Sequence, residues 1–521
     1  MRFPAKNKLA SKGPISRDIS CPAPIGGWNT RDPQASMAPQ YALQLDNFFP
    51  TAKTVDIRKG AIDWVTGLPT RPKHLMAWRG TNGSKLFACL DGGIYDVTAT
   101  GALGALASPL TSGLCKHVNF NTTGGSFLIS VNGVDSAQYF NGTVWSIVDQ
   151  LAISGSANFL QTNTISFINS FKRALYFIQK NSMIFYYLPV DQILGSVSAF
   201  PLGALFNKGG SLIAMGNWTF DGGTGSDDYT VFVTSEGQVA VYKGIDPSIS
   251  GTWALQGVYD LGTPLGSTCL TKFGGDLLYL STTGLWSLSK ALNLGQVKPE
   301  GTVSSTINQA FADATTVYGA NTGWQTIVSP ADNLLIVNIP LVSFDSSHQY
   351  VMNLVTQAWC RFTGWDATCF ELMGDDLYMG VGSRICKAWV GQNDFGLPIT
   401  AYCKIAPIYL SPRSYTKQLQ LLRLVAQTQG SIAINTEVDV DFEDNLTYDA
   451  PVFSGNPVSL WGTALWNGSL WASLPKTNQD WRTVSCKEGY VLALRLRVMG
   501  KDVTMQWSSI DYVYEVGAIQ G

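Results

Sequence analysis

Short runs of β-branched and aromatic residues alternate with clusters of Gly, Asn, Asp and Ser over most of the chain. Almost nowhere do apolar positions recur at helical spacing over three turns, so the pattern predicts an all-β protein. The exception is Gln40 to Phe49, where Tyr41, Leu45, Phe48 and Phe49 fall on one helical face and Pro50 ends the run, predicting a short helix. A weak repeat runs through the strands. Phe171 to Tyr176, Phe273 to Tyr279 and Leu372 to Tyr378 each place an apolar residue before a small or polar turn and a Leu-aromatic pair, and Lys85-Leu86-Phe87 opens a similar strand. Phe127 to Val131, Val231 to Val233 and Leu334 to Val337 lie between them without that lead-in. With Phe87, Leu128, Tyr176, Phe232, Tyr279, Leu335 and Tyr378 as anchors, the mean spacing is 48.5 residues.

After many anchors the chain turns and returns as a strand with an aromatic: Gly93-Ile94-Tyr95, Met183-Ile184-Phe185, Gly237 to Tyr242, Gly284-Leu285-Trp286. Hairpins at that period have the spacing of a four-stranded propeller blade. The expected fold is a six- or seven-bladed β-propeller over residues 71–400, the competing arrangement being unrelated hairpins in sandwiches. Beyond residue 400 the rhythm changes. Leu419 to Val425, Ser431 to Phe442, Tyr490 to Val498 and Val503 to Trp507 predict a β-sandwich platform over 401–521, with Trp461 to Trp481 as a loop. Residues 21–70 carry no blade signal and are expected to pack on the platform; residues 1–20 form a basic arm.

The chain has 521 residues, with 35 Lys plus Arg against 37 Asp plus Glu and a net charge of −2, so no chain-wide basic field exists to hold nucleic acid. Charged residues make up only 14% while Trp reaches 16 and Gly 52, which favours a subunit whose surface is covered by partners. No apolar run approaches the ~20 residues needed to cross a bilayer, so no membrane-spanning segment is expected. The N-terminus has Arg2, Lys6, Lys8, Lys12 and Arg17 without the apolar stretch of a secretion signal. Nine scattered cysteines with no C-x-x-C read as reduced thiols.

Signatures of catalysis are missing. His74, His117 and His348 are far apart in the chain and form no zinc-ligand motif, and no nucleophile elbow or phosphate loop occurs. No catalytic residue, cofactor or metal is assigned. Gly222-Gly223-Thr224-Gly225 reads as a hairpin loop, and Asp246 to Trp253 as a structural turn in preference to an Asp-box of a glycan hydrolase. Glu437, Asp439, Asp441 and Glu443 alternate with Val438, Val440 and Phe442, so one strand would show four acids on one face. That face is open to three readings: solvated surface, a calcium site completed by another loop, or the wall of a channel that keeps passing nucleic acid from sticking. Trp461, Trp466 and Trp471, spaced by five, fit neither a helix stripe nor one strand face, and are candidates for partner contacts or for anchoring their loop in the core.

Three segments resemble one family, the tail nozzle or tail tubular protein B-like proteins of short-tailed bacteriophages. The first is Pro24-Ile25-Gly26-Gly27-Trp28-Asn29-Thr30-Arg31-Asp32-Pro33 with Asp46 to Pro50 and Arg58-Lys59-Gly60. The second runs from Gly237 through Tyr242 to Pro247, then Trp253, Gly257 to Gly262 and Pro264-Leu265-Gly266; the third is the Trp461/Trp466/Trp471 segment. The resemblance implies a virion protein without enzyme activity, made in a bacterial host's cytoplasm. It would be one of six copies in a ring at the distal end of the tail, docked to an adaptor ring and carrying fibres or spikes, with genomic DNA passing through on ejection. In such a ring Arg2, Lys6, Lys8 and Lys12 become candidates for threading onto the adaptor or a neighbour, a disordered terminus being the other reading. The alternative from a different class is a secreted propeller lectin or glycan hydrolase.

Overall fold

The computed structural model describes residues 16–81, 83–221, 226–249, 251–294, 301–429, 432–443, 476–478, 480–483 and 488–517. The chain divides into two compact units: Lys59–Gly396, and the chain up to Arg58 together with that from Leu397 onward.

Lys59–Gly396 is a seven-bladed β-propeller. Blade 1 is built from His74–Gly80, Gly83–Leu90, Gly93–Asp96 and Leu106–Ser108, and blade 2 from Lys116–Thr122, Gly125–Val131, Ala137–Phe140 and Trp145–Val148. Blade 3 contains Ile165–Phe171, Ala174–Gln179, Ile184–Tyr187 and Ser196–Pro201; blade 4 contains Leu212–Asp221, Ser226–Thr234, Gln238–Gly244 and Trp253–Asp260. Blade 5 has three strands, Leu270–Phe273, Asp276–Ser281 and Gly284–Ser287, and blade 6 has Gln325–Ser329, Leu334–Val342, Ser346–Asn353 and Trp359–Phe362. Blade 7 joins Ala367–Met373, Asp376–Val381 and Arg384–Ala388 to Ala61–Thr66, which pairs antiparallel with Arg384–Ala388. Sharing one blade between the two ends of the unit clasps the ring shut and leaves no first or last sheet to dissociate.

The first strands of successive blades pack side by side around the whole circle, blade 7 returning to blade 1. The expected anchors Phe87, Leu128, Tyr176, Phe232, Tyr279, Leu335 and Tyr378 each occupy the second strand of one blade. The turn between first and second strands is often two residues long. In blade 3 Lys172 and Arg173 have φ of 48° and 61°, the left-handed pair that matches strand twist in a tight hairpin. Hydrophobic clusters fill the spaces between blades: Phe185 stacks on Phe232 with ring centroids 4.5 Å apart between blades 3 and 4, and Met76, Phe87, Leu128 and Phe140 seal blade 1 against blade 2. One blade cannot bury both of its faces, so this contact is what makes each sheet stable.

Two departures from the sequence reading occur in this unit. The propeller begins at Lys59, not at residue 71, because Ala61–Thr66 is needed to complete blade 7. Leu288–Leu294 and Asn308–Tyr318 are helices, unforeseen by the pattern. In the second, Phe311 is driven into a pocket with Trp324 and Tyr350, whose hydroxyl donates to the Ala310 carbonyl at 3.2 Å.

The other unit is a β-sandwich. Its first sheet centres on Thr504–Val516, which pairs with Lys417–Gln429 on one side and with Ser16–Pro22 and Val55–Ile57 on the other. The second sheet orders Tyr41–Asp46, Ile399–Ile405, Leu492–Gly500 and Ala433–Val440, with Gly27–Trp28 parallel to Tyr41–Asp46. Leu45, Cys403, Leu496 and Val498 of the second sheet and Leu422, Trp507 and Ile510 of the first are buried. Residues 16–20, expected in a basic arm, are part of a strand instead; Arg2, Lys6, Lys8 and Lys12 lie outside the described residues.

The expected helix at Gln40 to Phe49 is two strands, Tyr41–Asp46 and Phe48–Pro50. Asn47 between them has φ 56°, a left-handed conformation that Asn tolerates, and its Nδ2 donates to the Thr400 carbonyl at 2.8 Å. That break lets both Leu45 and Phe48 reach zero exposure, which a surface helix would not require. The eight cysteines among the described residues are free and buried. No helix among those residues is long and apolar enough to cross a membrane.

Candidate functional site

The acidic strand is the first candidate from sequence, and the structure takes most of it out of solvent. The strand ends at Val440. Asp439 is 1% exposed and pairs with Arg495 Nε at 2.8 Å on the adjacent strand and with Lys404 Nζ at 2.9 Å on the strand beyond it. Glu437 is half-buried and in register with Arg495, which is itself opposite Lys404. Asp441 has φ 50° and lies beyond the strand, where its Oδ1 accepts from the backbone N–H groups of Tyr490 and Val491 at 2.8 and 3.0 Å. Glu443 is exposed. The expectation of four acids on one solvent or channel face is corrected: the alternation is real up to Val440, but the acidic side meets a cationic cross-strand row. Trp461, Trp466 and Trp471, and Gly222 to Gly225, lie outside the described residues.

The segment around Asp246 is a structural turn, as its sequence suggests. Asp246 Oδ1 accepts from the Ser248 N–H at 2.8 Å and the Ser248 hydroxyl at 2.7 Å, and the chain turns through Ile249 and Thr252 into the strand Trp253–Asp260.

A second cluster was not foreseen. His74 and His117 open the first strands of blades 1 and 2, and Glu371 lies in the second half of the first strand of blade 7; these strands circle the propeller axis. His74 Nε2 and His117 Nδ1 are 2.9 Å apart, and His117 Nε2 lies 3.9 Å from Glu371 Oε2, with 15% and 17% of those last two side chains exposed. Burial holds His74 well below its ordinary 6.5, reinforced by His117 and Lys116, and burial with Lys116 and Arg79 lowers His117 to about 4. Burial raises Glu371 to about 7, partly offset by Arg79. At neutral pH both imidazoles are therefore uncharged, with one sharing its proton with the other. Histidines 43 residues apart give no motif; the available signal is that His74 and His117 both fall at the opening of a blade.

Beside this cluster is a cavity of about 260 Å³ lined by residues that precede or open the first strands of blades 1, 2, 5, 6 and 7, among them His74, Lys116, Thr268, Gln325 and Cys369. Because the first strands pack in a circle, that lining places the cavity near the propeller axis, at the end where those strands begin. Among the described residues no group of three or more His, Cys, Asp or Glu side chains is arranged to hold a metal ion.

No protein-family model matches the chain, and no curated protein matches it. Some solved structures resemble it distantly. The Cps50 (Swd1) β-propeller domain of Myceliophteria thermophila is 11% identical with a TM-score of 0.39, covering 61% of this chain and 99% of that one. YCF48 bound to D1 peptide is 10% identical with a TM-score of 0.37, covering 68% and 99%. The computationally designed Ika8 protein is 11% identical with a TM-score of 0.35, covering 67% and 96%. None of them lends this chain a function.

Proposed function

We propose that the chain is a structural subunit of the tail nozzle of a short-tailed bacteriophage. Six copies form a ring that docks to the tail adaptor, carries fibres or spikes, and conducts DNA without sequence-specific binding. One observation carries this reading: in the first two of the three segments that resemble the nozzle family, the matching residues hold the local fold together. In the first segment Asn29 is fully buried, and its Oδ1 accepts from the N–H groups of Arg31 and Asp32 at 2.9 and 3.1 Å. Arg58 is fully buried with its Nε donating to Asn47 Oδ1 at 2.8 Å, which fixes the left-handed residue between two sandwich strands. In the second segment Gly237, at φ 80°, leaves no room for a Cβ, which would lie 2.3 Å from the Gly262 carbonyl oxygen. These are demands of architecture, and a family whose task is mechanical would keep residues of this kind.

Low charge supports the same reading, since a closed ring gives each subunit two neighbours and turns much of its surface into interface. Of the three readings open for the acidic strand, the conduit wall does not enter this proposal, because Asp439 and Asp441 are committed to internal contacts. Light scattering and negative-stain images of the purified chain test the proposal: six-membered rings that dock onto the adaptor are expected. A stable monomer that binds or hydrolyses glycans would overturn it in favour of the lectin or hydrolase.

A further inference from the structure

The axial cavity carries a cation without an acid. Lys116 lines it, is partly buried, and has no carboxylate within ion-pair distance among the described residues. Its neighbours do not supply the missing charge. Lys73, also in the wall, is matched by Asp91 at 2.5 Å. Glu371 is turned to His117 and lies near Arg79, whose guanidinium donates to the Leu372 carbonyl at 3.1 Å. The thiols of Cys269 and Cys369 are each pushed up to about 12 by burial, so they stay protonated. His74 and His117 are neutral but protonatable, and would add to the positive side. An unneutralised ammonium in a partly desolvated site is costly unless something outside the chain balances it.

We propose that the axial mouth of the propeller is a binding site for a small oxyanion, with Lys116 as the cation that holds it. The cavity, at about 260 Å³, is below the size that takes drug-sized ligands and suits an ion with a few waters. Ser267 and Thr322 line the same wall. The ligand class is set by charge and size: a tetrahedral dianion or a carboxylate. The inference does not depend on the nozzle reading, since a monomer would keep the same cavity.

Loss of hydration lowers Lys116 from 10.5 to about 8, so the site should lose its charge in mildly alkaline solution. Sulfate keeps its charge over that range and isolates the protein's titration. Calorimetric titration of the full chain with sulfate, and separately with acetate, should show saturable binding of at least one at pH 7.5. For sulfate, affinity should be about eightfold weaker at pH 9. Lys116→Met should abolish binding and Lys116→Arg should retain it. Absence of saturable binding by both ions, undiminished affinity at pH 9, or binding that survives Lys116→Met would each overturn the proposal. Should Lys116→Met not fold, the two-pH titration of the unaltered chain decides.

Discussion

Each unit of the protein keeps a group of charges away from water, and the two groups are built on opposite terms. In the sandwich, Asp439 lies between Arg495 and Lys404 on adjacent strands, with Glu437 in register beside them. In the propeller, Lys116, His74 and His117 are partly buried next to a cavity, and the acid near them, Glu371, faces His117. The first group is closed: every charge answers another across the sheet, and its work is to hold strands in register. The second is open: its excess is positive, its histidines are kept neutral, and space is left beside it. Burial alone thus does not separate a structural charge from a binding one; balance and adjoining space do.

The largest effect should come from breaking the closed group. Asp439→Ala leaves Arg495 and Lys404 without their acid and should destabilise the sandwich by about 3–5 kcal/mol in denaturant unfolding. A loss under about 1 kcal/mol would mean that the row is solvated and the contrast misplaced. Next in size is Glu371. Its folded value of about 7 is above its ordinary 4.5, so the folded state keeps a proton that the unfolded chain releases. Its contribution to stability is full below pH 4.5, falls as pH rises through 7, and then levels off. Glu371→Gln should therefore gain on the wild type by up to about 3 kcal/mol between pH 4.5 and pH 8. The histidine limb runs the other way: His117, lowered to about 4, costs stability as pH falls from 6.5 to 4, and that limb should remain in the variant. Parallel stability curves for the two proteins would remove the open cluster from the account. The last test is of sign: Lys116→Met without added anion removes a desolvated charge that no acid answers, so below pH 8 it should raise stability where Asp439→Ala lowers it, and thermal melts in anion-poor buffer would show it.

The same contrast explains what could be read from the chain. The blade repeat was legible because every blade places an apolar strand, such as Ala174–Gln179 or Asp376–Val381, against both neighbouring sheets, and that double burial leaves a run that stands out at each period. The clasp was not, because Ala61–Thr66 is separated in sequence from the strand it pairs with and resembles any edge strand. Gln40 to Phe49 misled because the left-handed Asn47 resets the alternation between two strands, producing helical spacing by accident. The acids from Glu437 to Glu443 were visible, but their partners were not: Lys404 and Arg495 reach them only through sheet pairing. The axial cluster was hidden for a related reason, since its residues come from three different blades.

The measurement that bears most directly on the nozzle reading is a cryo-electron reconstruction of the purified full-length chain at side-chain resolution. The account predicts a six-fold ring around an open axial conduit, with each subunit's seven-bladed propeller intact. A particle of one copy, with no neighbour on either flank and a sugar seated at the propeller axis, would contradict it.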